Sequence, residues 1–180
     1  MDKKKRERKI KYVGILGPSQ PEFNPIIKRK YNYFRAISEQ IGEILAKKDL
    51  SIVINPDIGK GKATCKIVSQ SYKNSGGKNV IGIIPSNDQR WGSKTLDLSI
   101  CDSIIKCNNW GDVPIYIINK SDIILIIGLS PGTMIELCWG KWIYKPFLLF
   151  KPLISAIPVE ISKFVDIKDI YDVNELFEYF

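Results

Sequence analysis

Histidine is absent from the 180-residue chain, and cysteine is rare. Imidazole is the commonest metal ligand and the usual general base near neutral pH, so any catalysis must use carboxylates, lysine, tyrosine, hydroxyls or thiols. The four cysteines contain no C-x-x-C pair, which argues against a disulfide framework and against a structural zinc site. We therefore expect no metal site and a reduced, cytoplasmic setting.

Long apolar runs are also missing. The longest span five to seven residues, whereas a membrane-spanning helix needs about 20. The charged start is not followed by the apolar core of a secretory signal, so we expect none. Hydrophobic residues make up 44% of the chain, enough for one globular core. We predict a single domain over residues 11–180 and no membrane association.

Positive charge is unevenly distributed. The net charge is +8, and residues 1–9 hold six basic and two acidic residues, which is half of that excess. A terminal basic run is typical of a solvated tail, so we predict that residues 1–10 are disordered. The alternative is weak contact with nucleic acid through this tail, although no recognition module accompanies it.

Apolar β-rich runs alternate with amphipathic segments along the chain. This order predicts a three-layer α/β fold of the Rossmann-like class, with a mostly parallel sheet and helices on both faces. The segment 113–119 fits a helix, but its isoleucines would also suit a strand. The predicted strands are residues 12–16, 51–54, 79–85, 103–106, 123–127 and 146–150, and the predicted helices are 25–48, 62–73, 113–119, 132–143 and 173–180.

The most informative stretch is the apolar run at residues 123–127 and the turn that follows it. Five apolar residues in succession predict a strand buried on both faces. The turn leads into a helix whose first amide groups could bind an anion, with Gly132 allowing close approach, Thr133 adding a hydroxyl, and Glu136 one turn further on. A plain strand-to-helix connection accounts for the same pattern, and the local sequence does not separate the two.

Three turns that contain glycine follow predicted strands, and each leads into a helix. Because ligands of open α/β sheets bind at the carboxyl ends of the strands, three such turns at one edge predict a nucleotide or phosphate site. Neither the dinucleotide fingerprint nor the P-loop pattern is present. Lys60 would meet a phosphate as a point charge or lie exposed in its loop. The candidate ligand-binding residues are Gly17, Pro18, Ser19, Asn55, Asp57, Gly59, Lys60, Gly61, Ser130, Pro131, Gly132 and Thr133.

The order of these motifs resembles the lysine decarboxylase-like family of Rossmann-like proteins. That family includes the cytokinin-activating Lonely Guy phosphoribohydrolases and the molybdenum-cofactor carrier proteins. Its P-G-G-x-G-T-x-x-E motif matches residues 128–136, where the G-T-x-x-E half is intact and Gly-Leu-Ser replaces the P-G-G half. The turns at residues 15–19 and 53–61 and the strand at 80–85 match further family motifs. The similarity covers about Lys11 to Phe150.

The resemblance implies an AMP-like nucleotide or phosphate, held at Gly132 and Thr133, with no other cofactor required. In the hydrolases of the family, the motif glutamate acts with an upstream arginine to cleave the base–ribose bond. Glu136 matches the glutamate, but residues 111–116 contain no arginine, and Arg35 and Arg90 lie elsewhere in the sequence. Losing such a partner costs orders of magnitude in rate, so we expect ligand binding without efficient hydrolysis.

Two other functions remain open: a nucleoside-monophosphate phosphoribohydrolase that uses Glu136 as its catalytic residue, and nucleic-acid contact through the tail. The resemblance also implies a homo-oligomer, expected to be a dimer. Trp139, Trp142 and Tyr144 suit either a core or a dimer face, and we predict that they belong to the core.

Overall fold

In the computed structural model, which describes residues 9–87 and 95–180, seven parallel strands form one sheet in the order β4-β3-β2-β1-β5-β6-β7. The predicted fold class is confirmed. Most of the predicted tail at residues 1–10 and most of the loop at 86–95, including Arg90, lie outside the described residues. The strands are β1 Tyr12–Leu16, β2 Ser51–Ile54, β3 Val80–Pro85, β4 Ser103–Cys107, β5 Ile123–Ile126, β6 Phe147–Phe150 and β7 Ile167–Ile170.

Helices cover both faces of this sheet. One face packs against α2 and α3, and the other against α4 and α5. The segment that suited either helix or strand is a helix, α4. The helices are α1 Pro25–Arg29, α2 Tyr31–Lys47, α3 Thr64–Asn74, α4 Val113–Lys120, α5 Pro131–Ile143 and α6 Val159–Ser162.

The strand order places the change in winding direction at β1. The chain builds β1, β2, β3 and β4 outward to one side, then returns to place β5 beside β1 and continues to β7. Val13 pairs with both Ile52 of β2 and Ile123 of β5, so β1 lies at the centre of the sheet. In open α/β sheets this switch point is where a crevice forms at the carboxyl ends of the strands.

Three parts of the sequence prediction need correction. The first long helix is interrupted at Lys30, which separates α1 from α2. The C-terminal segment predicted as a helix over 173–180 forms a 3₁₀ helix at Val173–Glu178, and strand β7 before it was not predicted. Its two central residues, Lys168 and Asp169, are charged and exposed, which is typical of a short strand at the edge of a sheet.

No helix within residues 9–87 and 95–180 combines the length and apolar character needed to cross a membrane.

Candidate functional site

A cavity of about 220 Å³ opens at the carboxyl edge of β1 and β2, beside the start of α5. We call it the central cavity. Most of its wall is apolar, and most of its polar groups come from the turns after the strands, the first turn of α3 and the first two turns of α5. Its lining residues are Ile15, Leu16, Pro18, Ser19, Asn55, Asp57, Ala63, Thr64, Cys65, Trp110, Val113, Pro114, Ile117, Gly132 and Glu136.

A second depression, of about 290 Å³, adjoins the central cavity, and Pro18 and Ser19 line both. We call it the adjoining depression. It has no charged side chain in its wall. Its lining residues are Pro18, Ser19, Gln20, Phe23, Asn24, Pro25, Leu129, Ser130 and Pro131.

The start of α5 is capped by its own side chains. The Ser130 hydroxyl accepts a hydrogen bond from the Thr133 amide at 3.2 Å, and the Thr133 hydroxyl accepts one from the Ser130 amide at 2.5 Å. This reciprocal arrangement satisfies two groups that a ligand would otherwise use. Pro131 has no amide hydrogen. The amides of Ser130 and Thr133 are thus used within the cap. Of the amides from Ser130 to Thr133, all within the described residues, the one on Gly132 is left without a hydrogen-bond acceptor.

Glu136 lies on the inner side of α5 and faces the central cavity, with 9% of its surface exposed. Burial raises the pKa of Glu136 to about 8. Within residues 9–87 and 95–180, no group donates a hydrogen bond to its carboxyl, and no lysine or arginine lines the cavity. A carboxyl group with this pKa is mostly protonated at pH 7, so it acts there as an uncharged donor and acceptor.

Asp57 makes the central cavity acidic. The pKa of the Cys65 thiol is raised chiefly by burial, and further by the carboxylates of Asp57 and, once it is ionised, of Glu136, as expected for three groups that face the same space. The Asp57 carboxylate accepts a hydrogen bond from the Gly59 amide at 3.0 Å. The Asn55 side-chain amide donates to the Ile83 carbonyl at 3.0 Å, which fixes its orientation at the rim.

Two of the predicted glycines serve packing at this edge. A Cβ atom on Gly17 would lie 2.3 Å from the Thr64 hydroxyl oxygen. Gly59 has φ of 44°, and a Cβ atom there would lie 1.7 Å from the Ser19 carbonyl oxygen. Because both glycines let neighbouring turns approach, they hold Pro18 and Ser19 at the cavity wall.

The structure brings together some of the predicted ligand-binding residues and not others. Lining the central cavity are Pro18, Ser19, Asn55, Asp57, Gly132 and Glu136, while Ser130 and Pro131 line the adjoining depression. The residues that line neither are Gly17, Gly59, Lys60, Gly61 and Thr133. Of these, Lys60 is exposed, and Gly61 borders a polar groove between α2 and α3 instead.

Sequence reasoning missed one wall of the central cavity. Trp110, Val113, Pro114 and Ile117, at and just before the start of α4, form it. One feature of the sequence pointed to this wall. The resemblance places an arginine among residues 111–116, and this chain has none there. An apolar wall now faces Glu136 there. In the described residues, no group of three or more Cys, Asp or Glu side chains is arranged to hold a metal ion.

The parallel sheet and the cavity at its switch point define a Rossmann-like α/β protein with a site of small-molecule size at its carboxyl edge. A family model described as the SLOG cluster4 family matches residues 10–174, so the chain belongs to that family. A search of curated proteins gave no match.

Solved structures share this fold at low sequence identity. The molybdenum cofactor carrier protein of Chlamydomonas reinhardtii is 17% identical with a TM-score of 0.70, covering 95% of this chain and 96% of its own. The molybdenum cofactor binding protein of Rippkaea orientalis is 16% identical with a TM-score of 0.71, covering 95% of each chain. The X-ray structure of TM1055 is 21% identical with a TM-score of 0.72, covering 94% of this chain and 98% of its own. The resemblance drawn from the sequence motifs is confirmed.

Proposed function

We propose that this protein binds a nucleotide or another small phosphate-bearing ligand at the carboxyl edge of its sheet and does not hydrolyse it efficiently. The observation that carries the proposal is the central cavity, in which the enclosed Glu136 meets an apolar wall and no cation from the described residues. The central cavity and adjoining depression together enclose about 500 Å³, within the usual range of about 300–1,000 Å³ for ligand sites.

The charges indicate how such a ligand lies. Asp57 repels a phosphate from the central cavity, whereas its apolar wall with Asn55 and Glu136 suits an uncharged heterocyclic ring. The adjoining depression is uncharged and has the Ser19 and Ser130 side chains in its wall. We therefore place the ring in the central cavity and the phosphate beside the Gly132 amide and Ser130, at the N-terminal end of α5.

The state of Glu136 argues against efficient hydrolysis. Cleavage of a base–ribose bond passes through an oxocarbenium-like state, which a carboxylate stabilises only when it is ionised. With a pKa of about 8, Glu136 carries little negative charge at pH 7. No arginine from residues 9–87 or 95–180 lines the cavity to hold the phosphate or orient the ribose.

Two similar structures are described as a molybdenum cofactor carrier and a molybdenum cofactor binding protein. Their names make a phosphorylated pterin a second chemical class for this site, because such a ligand also joins a flat heterocycle to a phosphate. The shared chemistry is a planar nitrogen heterocycle joined to a phosphate. The binding experiment must therefore separate the two rings.

The test is calorimetric titration at pH 7 with four ligands: AMP, a phosphorylated pterin, adenosine, and the same pterin without its phosphate. We expect one of the first two to bind, and its counterpart without phosphate to bind at least about 10-fold more weakly. Ser130→Ala should weaken binding of the phosphate-bearing ligand. Lys60→Ala changes an exposed loop residue outside both cavities and should leave the affinity for that ligand unchanged. If none of the four ligands binds, the proposal is wrong.

One observation keeps the hydrolase as a second candidate, since Glu136 faces the cavity and ionises above a pH of about 8. A hydrolase of this kind would release free base from AMP faster as the pH rises from 7 to 9, and Glu136→Gln would abolish the release. Chromatography of the reaction products at each pH measures this. Rapid base release already at pH 7 that is lost in Glu136→Gln would favour the hydrolase over the proposed binding protein.

A further inference from the structure

The carboxyl group of Glu136 is enclosed by the central cavity and makes no hydrogen bond to the described residues. More than nine-tenths of the residue is buried, and the parts of β1 and α4 that line the same cavity are apolar. A buried polar group without a partner costs about 1–3 kcal/mol. Such a group in a folded protein calls for an explanation, and a ligand in the cavity would provide one.

Three neighbouring donors in the cavity wall do not bond to this carboxyl group. The Asn55 side-chain amide donates to the Ile83 carbonyl, and the Thr64 hydroxyl donates to the Pro18 carbonyl. The indole N–H of Trp110 is buried and has no acceptor among the described residues. The hydrogen-bonding groups of Glu136 therefore remain available to a ligand that enters the cavity.

The surroundings of Glu136 favour its uncharged form at neutral pH. Within residues 9–87 and 95–180, the other titratable side chains that line the cavity are Asp57, in the turn after β2, and Cys65 of α3. Asp57 adds a negative charge, and burial raises the pKa of the Cys65 thiol, which stays uncharged. With no cation beside it, Glu136 has a pKa that burial raises to about 8. Its proton is therefore lost between about pH 7 and pH 9.

The two forms of a carboxyl group fit different edges of a planar heterocycle. The uncharged form has a donor beside an acceptor, so it pairs with a ring nitrogen that lies next to an amino group. The ionised form has acceptors only, so it pairs with two adjacent donors. A 6-aminopurine has an acceptor nitrogen on either side of its amino group and no pair of adjacent donors. A 2-amino-6-oxopurine has a ring N–H beside its amino group, and on the other side of that N–H it has an oxygen acceptor.

We propose that Glu136 selects the bound ring by the hydrogen-bonding edge that the ring presents, and that loss of its proton excludes 6-aminopurines while rings with two adjacent donors still bind. A 6-aminopurine would bring its acceptor nitrogen against a carboxylate, which has no donor to offer. A 2-amino-6-oxopurine pairs with the uncharged form through its oxygen and ring N–H, and with the ionised form through its ring N–H and amino group. This inference rests on the proposed function, because it assumes that the ring of the ligand lies in the central cavity.

The size of the effect follows from the protonated fraction of Glu136. With a pKa of about 8, that fraction falls from about nine-tenths at pH 7 to about one-tenth at pH 9. We therefore expect AMP to bind about 10-fold more weakly at pH 9 than at pH 7, and GMP to weaken by less than about 2-fold. The two nucleotides carry the same ribose and phosphate, so the ratio of their dissociation constants cancels phosphate titration and any loss of folded protein.

The test is calorimetric titration of the full chain with AMP and with GMP at pH 7, 8 and 9. In the wild type, the ratio of the AMP dissociation constant to the GMP dissociation constant should rise about 10-fold from pH 7 to pH 9. Glu136→Gln keeps a donor and an acceptor but has no proton to lose, so its ratio should stay constant. Glu178→Gln changes an exposed carboxylate on the surface and should keep the wild-type rise.

Several outcomes would overturn the inference. They are a wild-type ratio that stays constant, a rise that persists in Glu136→Gln, and GMP that does not bind at any of the three pH values. AMP that fails to bind at pH 7 while a phosphorylated pterin binds would overturn the inference and leave the proposed function in place. If AMP, GMP and the phosphorylated pterin all fail to bind, both the inference and the proposed function are wrong.

Discussion

Replacing Glu136 by glutamine tests the electrostatic account of the site most directly. Burial raises the pKa of Glu136 from 4.5 to about 8, so the folded protein binds a proton that the unfolded chain has already released. Because the folded-state pKa lies above the unfolded one, the free energy of unfolding of the wild type falls as pH rises from about 4.5 to about 8. It then levels off, since the group is ionised in both states.

The magnitude follows from the pKa shift. Each pH unit inside that window changes the stability difference by about 1.4 kcal/mol. Glutamine keeps the shape of the protonated side chain and does not titrate. We therefore expect Glu136→Gln to exceed the wild type in free energy of unfolding by about 1 kcal/mol at pH 5, about 3 kcal/mol at pH 7 and about 4 kcal/mol at pH 8. These values are upper limits, because local relaxation and water entry reduce the cost of a buried charge.

Urea unfolding of both proteins at pH 5, 6, 7 and 8 measures the difference. The sequence favours the experiment, because a chain without histidine has no imidazole titrating in this window. Glu178→Gln is the control, since Glu178 is exposed on the surface, and it should show neither a stability gain nor a slope. A difference that stays flat or falls between pH 5 and pH 8 would show that Glu136 is already ionised in the folded state across this range, and would refute the reasoning.

Three further variants test how the carboxyl edge is built. Gly59→Ala should lower the free energy of unfolding by about 2–5 kcal/mol, because the new Cβ atom would clash with the Ser19 carbonyl and φ is positive. Gly61→Ala is its control: φ is positive there too, but nothing lies within 4 Å of the new Cβ atom, so we expect a loss of only about 1 kcal/mol from backbone strain. Urea titration of both variants checks this pair, and equal losses would contradict the packing role of Gly59. Ser130→Ala removes the cap of α5 and should cost about 1 kcal/mol in the same assay; no loss would mean that Thr133 caps the helix without it.

Much of the fold could be predicted because the hydrophobic pattern of each segment and the residues that begin and end it indicate the same element. Buried runs such as Ile123–Ile126 have no polar residue to place on a solvent face, which identifies them as central parallel strands. The Asn24-Pro25 pair predicts a helix start, and the Asn24 side chain does accept hydrogen bonds from the amides of Ile26 and Ile27. The break at Lys30 has no comparable signal, since no proline or glycine marks it.

The position of the central cavity could be predicted from the sequence, but the residues that line it could be predicted only in part. The three turns correctly indicated the carboxyl edge, because strand order and chain direction fix where those turns meet. Which groups remain available there depends on local competition. Ser130 and Thr133 use each other's donors and acceptors in a capping box, a pairing that removes Thr133 from the cavity wall. The two carboxyl groups of the central cavity, from Asp57 and Glu136, are 79 residues apart in sequence and face the same space only in the folded chain.

The aromatic residues of α5 show why one helix can be assigned the wrong buried face. We predicted that Trp139, Trp142 and Tyr144 belong to the core, and that prediction is wrong, since Trp142 is 62% and Tyr144 87% exposed. The helix offers two apolar stripes, and hydrophobicity favours the one with the larger side chains. Close approach decides otherwise: a Cβ atom on Gly140 would lie 2.6 Å from a Val165 methyl group and 2.7 Å from the Phe147 ring. Because only glycine fits at that contact, α5 must turn Gly140 toward the sheet, and the same rotation directs both tryptophans outward.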